Sequence, residues 1–321
     1  MLARVNYSLT QLEYVLAVHK LGHFAKAAES CKVSQPTLSM QIQKFENDLG
    51  AILFDRSKKP ILLTTMGTRI IEQIQTILHE TKKMEDLIKV TQSEKLEGHL
   101  ILGIIPTIAP YLLPRLLPVL VKAFPGIELR ILELQTHRII EALNNDEIDV
   151  GLLATPLKNA QIHEYSLYYE PFSVLCKKGH ELSQQKKVKY SALKFEDLWL
   201  LEEGHCLRNQ MLDVCAHKKD RKHRRKFEFE SGSLETLKNL VNSYGGYTLL
   251  PALAADSIGA HTVLVPFERP IPAREIGLVY RREHYKKELI EALGESIIDC
   301  IPEEIRKIRP KNLDVLPIES A

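Results

Sequence analysis

Net charge is nearly absent from this chain: 43 Lys and Arg stand against 41 Asp and Glu, leaving +2. That balance excludes a protein that grips polyanions through its overall charge, so local distribution must decide. An apolar run of membrane length is also lacking. The longest apolar stretch, 100–121, contains Arg115 and is broken by Pro106, Pro110, Pro114 and Pro118, a spacing that a spanning helix does not tolerate. Residues 1–9 carry no apolar signal segment or cleavage site, which predicts a cytoplasmic chain in a reducing compartment. Cysteine is sparse: the five residues, at 31, 176, 206, 215 and 300, are an odd and scattered set that cannot be a fully paired framework. Any bridge among them would act as a switch. What is present is an ordinary globular composition, 45% hydrophobic and 26% charged over 321 residues. It excludes collagen-like, mostly disordered and disulfide-scaffold classes and predicts more than one domain. No cofactor is expected.

The first 66 residues hold eight Lys/Arg and five Asp/Glu, a local net of +3 that is compatible with nucleic acid. Leu12, Val15 and Leu16, then Phe24, Ala27 and Ala28, have helical spacing on either side of Leu21-Gly22-His23. Ser34 is a good N-cap and Pro36 falls in a first turn, so a new helix starts there. Its buried stripe is Leu38, Ile42, Phe45 and Leu49, which leaves Gln35, Thr37, Gln41 and Lys44 on other faces. Two helices joined by a tight turn, the second exposing short hydrogen-bonding residues at its start, suit a helix-turn-helix in the major groove. A plain helical corner would have the same pattern. Phe54 to Lys59 and Ile61 to Thr64 read as short strands around a basic loop, a wing whose Arg56, Lys58 and Lys59 can neutralise phosphates. For Arg56 a surface salt bridge is the alternative.

Phe24-Ala25-Lys26-Ala27-Ala28, Ser34-Gln35-Pro36-Thr37-Leu38-Ser39, Leu49-Gly50, Leu53-Phe54 and Thr64-Thr65-Met66-Gly67 together resemble the winged helix-turn-helix of LysR-type transcriptional regulators. The resemblance covers nearly all of residues 7–67. It implies double-stranded DNA as partner, with contacts from Ser34, Gln35, Pro36, Thr37 and Ser39 and from Arg56 on the wing.

From Thr64, a plausible N-cap, to about Gln92, apolar Ile70, Ile74, Ile77, Met84 and Ile88 follow a near-heptad interrupted by Thr81. That seam predicts a dimerisation helix, or else packing on its own domain. A dimer would present two wings to an inverted-repeat operator. The polar stretch Ser93 to Gly98 suits a hinge.

Beyond it the pattern becomes α/β: strand 100–105, a proline-punctuated helix to Phe124, strand 127–134, helix 136–144 and strand 148–154, a βαβαβ unit with right-handed crossovers. A second segment runs over about 170–270, and strand 275–280 with helix 286–300 returns to the first. Two lobes crossed twice by the chain leave a cleft for a small ligand. The expected divisions are a mainly α winged helix-turn-helix domain at 1–65, a linker helix and hinge at 66–97, and a regulatory domain at 98–321. Lobe I takes about 98–169 and 271–308, and lobe II about 170–270. The family resemblance implies the same two-lobed, periplasmic-binding-protein-like fold, a dimer or dimer of dimers, and RNA polymerase as a further partner.

Cys206 follows His205, lies two residues from Arg208 and precedes a helical segment. A helix N-terminus and a fixed cation each favour thiolate. A thiolate opens the O–O bond of a peroxide to give a sulfenic acid, which a second thiol converts to a disulfide. Cys215 is the nearest candidate. On one continuous helix, nine residues at about 1.5 Å rise hold the two Cα atoms about 13 Å apart, beyond the roughly 7 Å limit for a bridge, so bridging must remodel the segment.

Gly204 to Gln210 with Cys215, together with Ile105 to Pro114, Glu133 to His137, Ser233 to Leu237 and Thr248 to Leu253, resembles the peroxide-sensing members of the same family. By that resemblance Cys206 is the peroxide-reactive thiol and Cys215 the resolving one, while Thr107, Thr136, His205 and Arg208 line the pocket or tune the sulfur. It further implies an activator of antioxidant genes. Helix capping is the alternative for Thr107 and Thr136. Asn209 stands where the family pattern has Asp, and an amide takes no proton at neutral pH. Cys31, Cys176 and Cys300 read as small buried hydrophobes. Three other readings remain: metal held by His205, Cys206, Cys215 and His217, at a spacing that fits no common zinc pattern; a regulator answering to a metabolite; and a thiol peroxidase. The basic run 218–226 reads as a solvated loop, a source of positive potential near Cys215, or a contact for an acidic partner.

Overall fold

The computed structural model describes residues 6–92, 98–157, 159, 161–215, 229, 231–256, 258–281 and 286–318. The chain forms two compact units, Met1–Gln92 and Ser93–Ala321. Residues 93–97 of the expected hinge, the run 218–226 and His217 lie outside the described residues.

In the first unit, α1 (Leu9–Leu21) opens on a capping box between Ser8 and Gln11 and ends at Gly22, whose left-handed backbone (φ 61°) turns the chain into α2 (Phe24–Ser30). Ser34 caps α3 (Gln35–Leu49), its hydroxyl accepting from the Thr37 amide. Leu38, Ile42 and Phe45 are fully buried against Leu12, Val15, Ala27 and Ala28, which supports close helix packing; Leu49 is only half-buried. β1 (Phe54–Asp55) and β2 (Leu62–Leu63) form the antiparallel wing. α4 (Thr65–Gln92) follows, its first turn held by the Thr64 hydroxyl, which accepts from the Gly67 amide at 2.9 Å. The expected seam divides along this helix. Ile70, Ile71 and Ile74 pack into the core of their own unit, whereas Ile77 and Met84 are exposed. The expected division at 65/66 therefore falls at the start of a helix whose first turns complete the first core.

In the second unit, β3 (Gly98–Ile104), α5 (Ala109–Ala123), β4 (Ile127–Glu133), α6 (Thr136–Asn144) and β5 (Val150–Thr155) build lobe I, with β3 parallel to both β4 and β5. β6 (Ile162–Lys177) then runs through both lobes. Lobe II adds α7 (Cys206–Val214), α8 (Leu234–Ser243), β7 (Tyr247–Pro251) and β8 (Thr262–Pro266), the last two antiparallel to β6. The chain returns through β9 (Ile271–Arg281) to α9 (Lys287–Cys300), the short α10 (Glu303–Arg306) and β10 (Leu313–Val315). β9 pairs antiparallel with β5 in lobe I and along β6 from Ile162/Arg281 to Pro171/Ala273. The expected lobe boundaries at 170 and 270 thus fall inside or at the end of long strands that the lobes share.

Each lobe keeps its own core. One gathers Leu102, Leu112, Ile139, Leu152, Ile276 and Ile290, the other Phe172, Leu207, Met211, Leu237, Tyr247 and Phe267. No helix among the described residues is long and apolar enough to cross a membrane.

Candidate functional site

α7 carries one cysteine at each end. Cys206 is its first residue and Cys215 the residue that closes it. The helix is continuous over Cys206–Val214, so the sulfurs belong to opposite ends of a rigid rod about 13 Å long. Both thiols are free.

Their surroundings differ. Cys206 is half-buried and packs against the lobe I core. The Thr136 hydroxyl donates to its Sγ at 3.6 Å, and the amides of the first turn of α7 begin here. Gly204 allows the chain to approach α6: its backbone is left-handed (φ 91°), and a Cβ there would fall 2.6 Å from Gln135 Oε1. Cys215 is buried in the lobe II core with Leu207, Met211 and Val214. Burial pushes its thiol up to about 11, and the Tyr247 hydroxyl, 3.7 Å from Sγ, pulls the other way.

His205 caps α7 with no side-chain hydrogen bond to the helix. Its ring is buried with Nε2 3.6 Å from Glu202 Oε1, and burial lowers its pKa below the ordinary histidine value, partly offset by that carboxylate. His205 lines a cleft of about 440 Å³ between the lobes, with Pro106, Tyr111, Gln135, Glu202 and Glu235. Cys206, Thr107, Thr136 and Arg208 do not line it. Arg208 points elsewhere, donating to the Leu201 carbonyl at 2.7 Å and standing 3.8 Å from Glu203. Neither threonine caps a helix, because the caps of α5 and α6 are Ile108 and Gln135 without side-chain bonds. Thr107 instead accepts from Arg274 Nη1 at 2.8 Å, and Arg274 is locked in full burial to Glu170 at 2.7 Å. The Glu170 carboxylate also accepts from the Leu253 amide.

Of the cysteines read as buried hydrophobes, Cys176 is fully buried and its thiol is pushed up to about 11, but Cys31 and Cys300 are half-exposed. They sit at the ends of the helices α2 and α9, where packing is incomplete. No metal-holding group of three or more His, Cys, Asp or Glu occurs among the described residues.

On the first unit, Ser34, Gln35, Pro36 and Thr37 are exposed at the start of α3, and Ser39 is half-buried. Arg56 stays exposed and forms the surface salt bridge of the alternative reading: Nη2 lies 3.0 Å from Glu46, Nη1 donates to Ser39 at 3.4 Å, and the guanidinium stacks over Phe24. Glu46, unnoticed in the sequence, is buried and also accepts the Leu53 and Phe54 amides, tying α3 to the wing.

The chain matches the bacterial regulatory helix-turn-helix protein model of the lysR family over residues 9–68 and the LysR substrate binding domain model over residues 93–299. It is 37% identical over 294 residues to the DNA-binding transcriptional dual regulator OxyR of Escherichia coli K12, covering 90% of this chain and 94% of that one. It is 36% identical over 296 residues to the hydrogen peroxide-inducible genes activator of Haemophilus influenzae, covering 91% and 96%. Among solved structures, a full-length OxyR with a cysteine-to-aspartate substitution from Pseudomonas aeruginosa superposes with a TM-score of 0.71 at 34% identity, covering 95% of this chain and 99% of that one. A peroxide-bound cysteine-to-serine mutant of Corynebacterium glutamicum OxyR gives 0.61 at 29% identity, covering 93% and 94%.

Proposed function

The chain belongs to the lysR family of bacterial transcriptional regulators, and from that premise we propose that it is a hydrogen-peroxide sensor. Oxidation of Cys206 changes its DNA contacts and activates antioxidant genes. The observation that carries this is the pairing on one helix of a half-buried thiol that receives a hydroxyl donor and a buried thiol held protonated. The relatives' names, hydrogen peroxide-inducible genes activator and OxyR, point the same way.

The chemistry balances with peroxide alone. The Cys206 thiolate attacks one peroxide oxygen, the O–O bond breaks, and the departing hydroxide takes a proton to leave as water. The sulfenic acid is then attacked by Cys215, which forms the S–S bond and releases a second water. Two thiols are oxidised and one peroxide is reduced. Because α7 holds the two Cα atoms about 13 Å apart, the second step proceeds only as the helix unwinds, and that refolding is the signal passed to the rest of the regulatory domain.

Ser34, Gln35, Pro36, Thr37 and Ser39 contact DNA, with Arg56 steadying the wing. A homodimer joined through the exposed Ile77 and Met84 side of α4, or a pair of such dimers, reads an inverted-repeat operator and meets RNA polymerase in the cytoplasm. The interlobe cleft supports a second reading, a regulator answering to a small metabolite. Thiol mapping by mass spectrometry after brief exposure to stoichiometric hydrogen peroxide separates the two. A Cys206–Cys215 disulfide within seconds is the expected result, and free thiols with a normal inducer response in Cys206→Ser favour the metabolite.

A further inference from the structure

The C-terminal strand touches both lobes beside α7. β10 pairs in parallel with the start of β9, Leu313 opposite Ile271 and Val315 opposite Ala273, and the Leu316 amide donates to the Ala273 carbonyl at 2.9 Å. The next residues divide between the lobes. Leu316 belongs to the lobe II core that holds Leu207, Met211, Val214 and Cys215, and Ile318, two residues on, belongs to the lobe I core. The segment therefore pins one lobe to the other. It is also tied to α7: Gln210 Nε2 donates to the Leu316 carbonyl at 3.3 Å, in a fully buried contact. On its outer side the Tyr190 hydroxyl donates to Asp314 at 3.1 Å.

Gln210 lies near the midpoint between the two cysteines. Bringing their Cα atoms from about 13 Å to within about 7 Å consumes helix between them, whichever end moves, and the turn of Gln210 is central to it. Once that turn goes, the Leu316 carbonyl loses a buried donor, and the lobe II core that Leu316 shares with Leu207, Met211 and Val214 has to repack. A three-residue strand whose own side chains are only half-buried has little to replace them.

We propose that the C-terminal segment 313–318 is an interlobe staple that formation of the Cys206–Cys215 disulfide releases, a step that rests on the function proposed above. Linkage makes the relation reciprocal: if the bridge loosens the staple, weakening the staple favours the bridge.

Hydrogen–deuterium exchange of the full chain, reduced and after stoichiometric hydrogen peroxide, tests this, with the thiols of the same samples mapped by mass spectrometry and Cys215→Ser as the unbridged control. Amides of 313–316 and 318 are expected to exchange roughly tenfold faster in the bridged protein than in the reduced one, and to keep their protection in peroxide-treated Cys215→Ser. A bridged protein with undiminished protection at 313–318 overturns the staple and leaves the sensor standing. Treated wild type with both thiols free overturns both. In a glutathione buffer, Leu316→Ala is expected to raise the ratio of bridged to reduced protein about tenfold. An unchanged ratio overturns the coupling.

Discussion

Cys206 and Cys215 close the two ends of one nine-residue helix, yet one is packed against lobe I with a hydroxyl on its sulfur and the other is sealed in the lobe II core. A peroxide sensor needs this inequality, because two equally reactive thiols would be oxidised independently and would not act in sequence. The same helix that keeps the thiols unlike also keeps them apart, so reactivity and conformational change are set by one element.

The largest effect expected from disturbing this contrast is loss of the first thiol. Cys206→Ser slows peroxide-driven oxidation of the protein by at least about a hundredfold, read by stopped-flow or quenched mass spectrometry. Cys215→Ser should leave that first step intact and accumulate a sulfenic acid at Cys206 that dimedone captures. Next comes selective labelling of the reduced protein. With its thiol raised from the ordinary 9 to about 11, Cys215 holds about a hundredfold less thiolate at neutral pH and should alkylate well after Cys206; equal rates would erase the contrast. Smaller is Thr136→Val, which removes the donor on Cys206 and should slow its oxidation about tenfold, with Thr136→Ser restoring it.

The smallest effect concerns pH. The folded pKa of His205 lies below its unfolded value, so the unfolded chain binds the proton more readily. Its contribution to stability is full above the unfolded pKa of about 6.5 and is lost as pH falls through that value. Urea midpoints at pH 7.5 and 5.5 should therefore differ less in His205→Gln than in wild type.

Local chemistry made much of this molecule legible. The cap at Ser34, the helix Thr136–Asn144 and the break at Gly22 follow from residues adjacent in sequence, and the structure has them where spacing predicts. Cys206 was marked by neighbours within two residues, and Cys215 by being the nearest second thiol and by the family resemblance. What escaped depends on distant partners. Glu170 and Arg274 are 104 residues apart, and a charge in the middle of an apolar strand says only that some partner exists. Thr107 was singled out, but its place under that ion pair was invisible for the same reason. β10 is three residues long and takes its form from the edge of β9, so no periodicity announces it. The seam of α4 was visible, but how its two halves divide between core and surface depends on where the first unit ends.

Between the last β5 contact with β9, at Thr155 and Glu275, and the first β7 contact with β6, at Phe172 and Pro251, the sheet of the regulatory unit narrows to β6 and β9 with short β10 at its margin. Two-stranded ribbons carry a larger twist than broad sheets, while their backbone is already extended. That neck acts as a torsion bar. Once the staple and the other contacts between the lobes let go, such a neck favours rotation of one lobe against the other over separation.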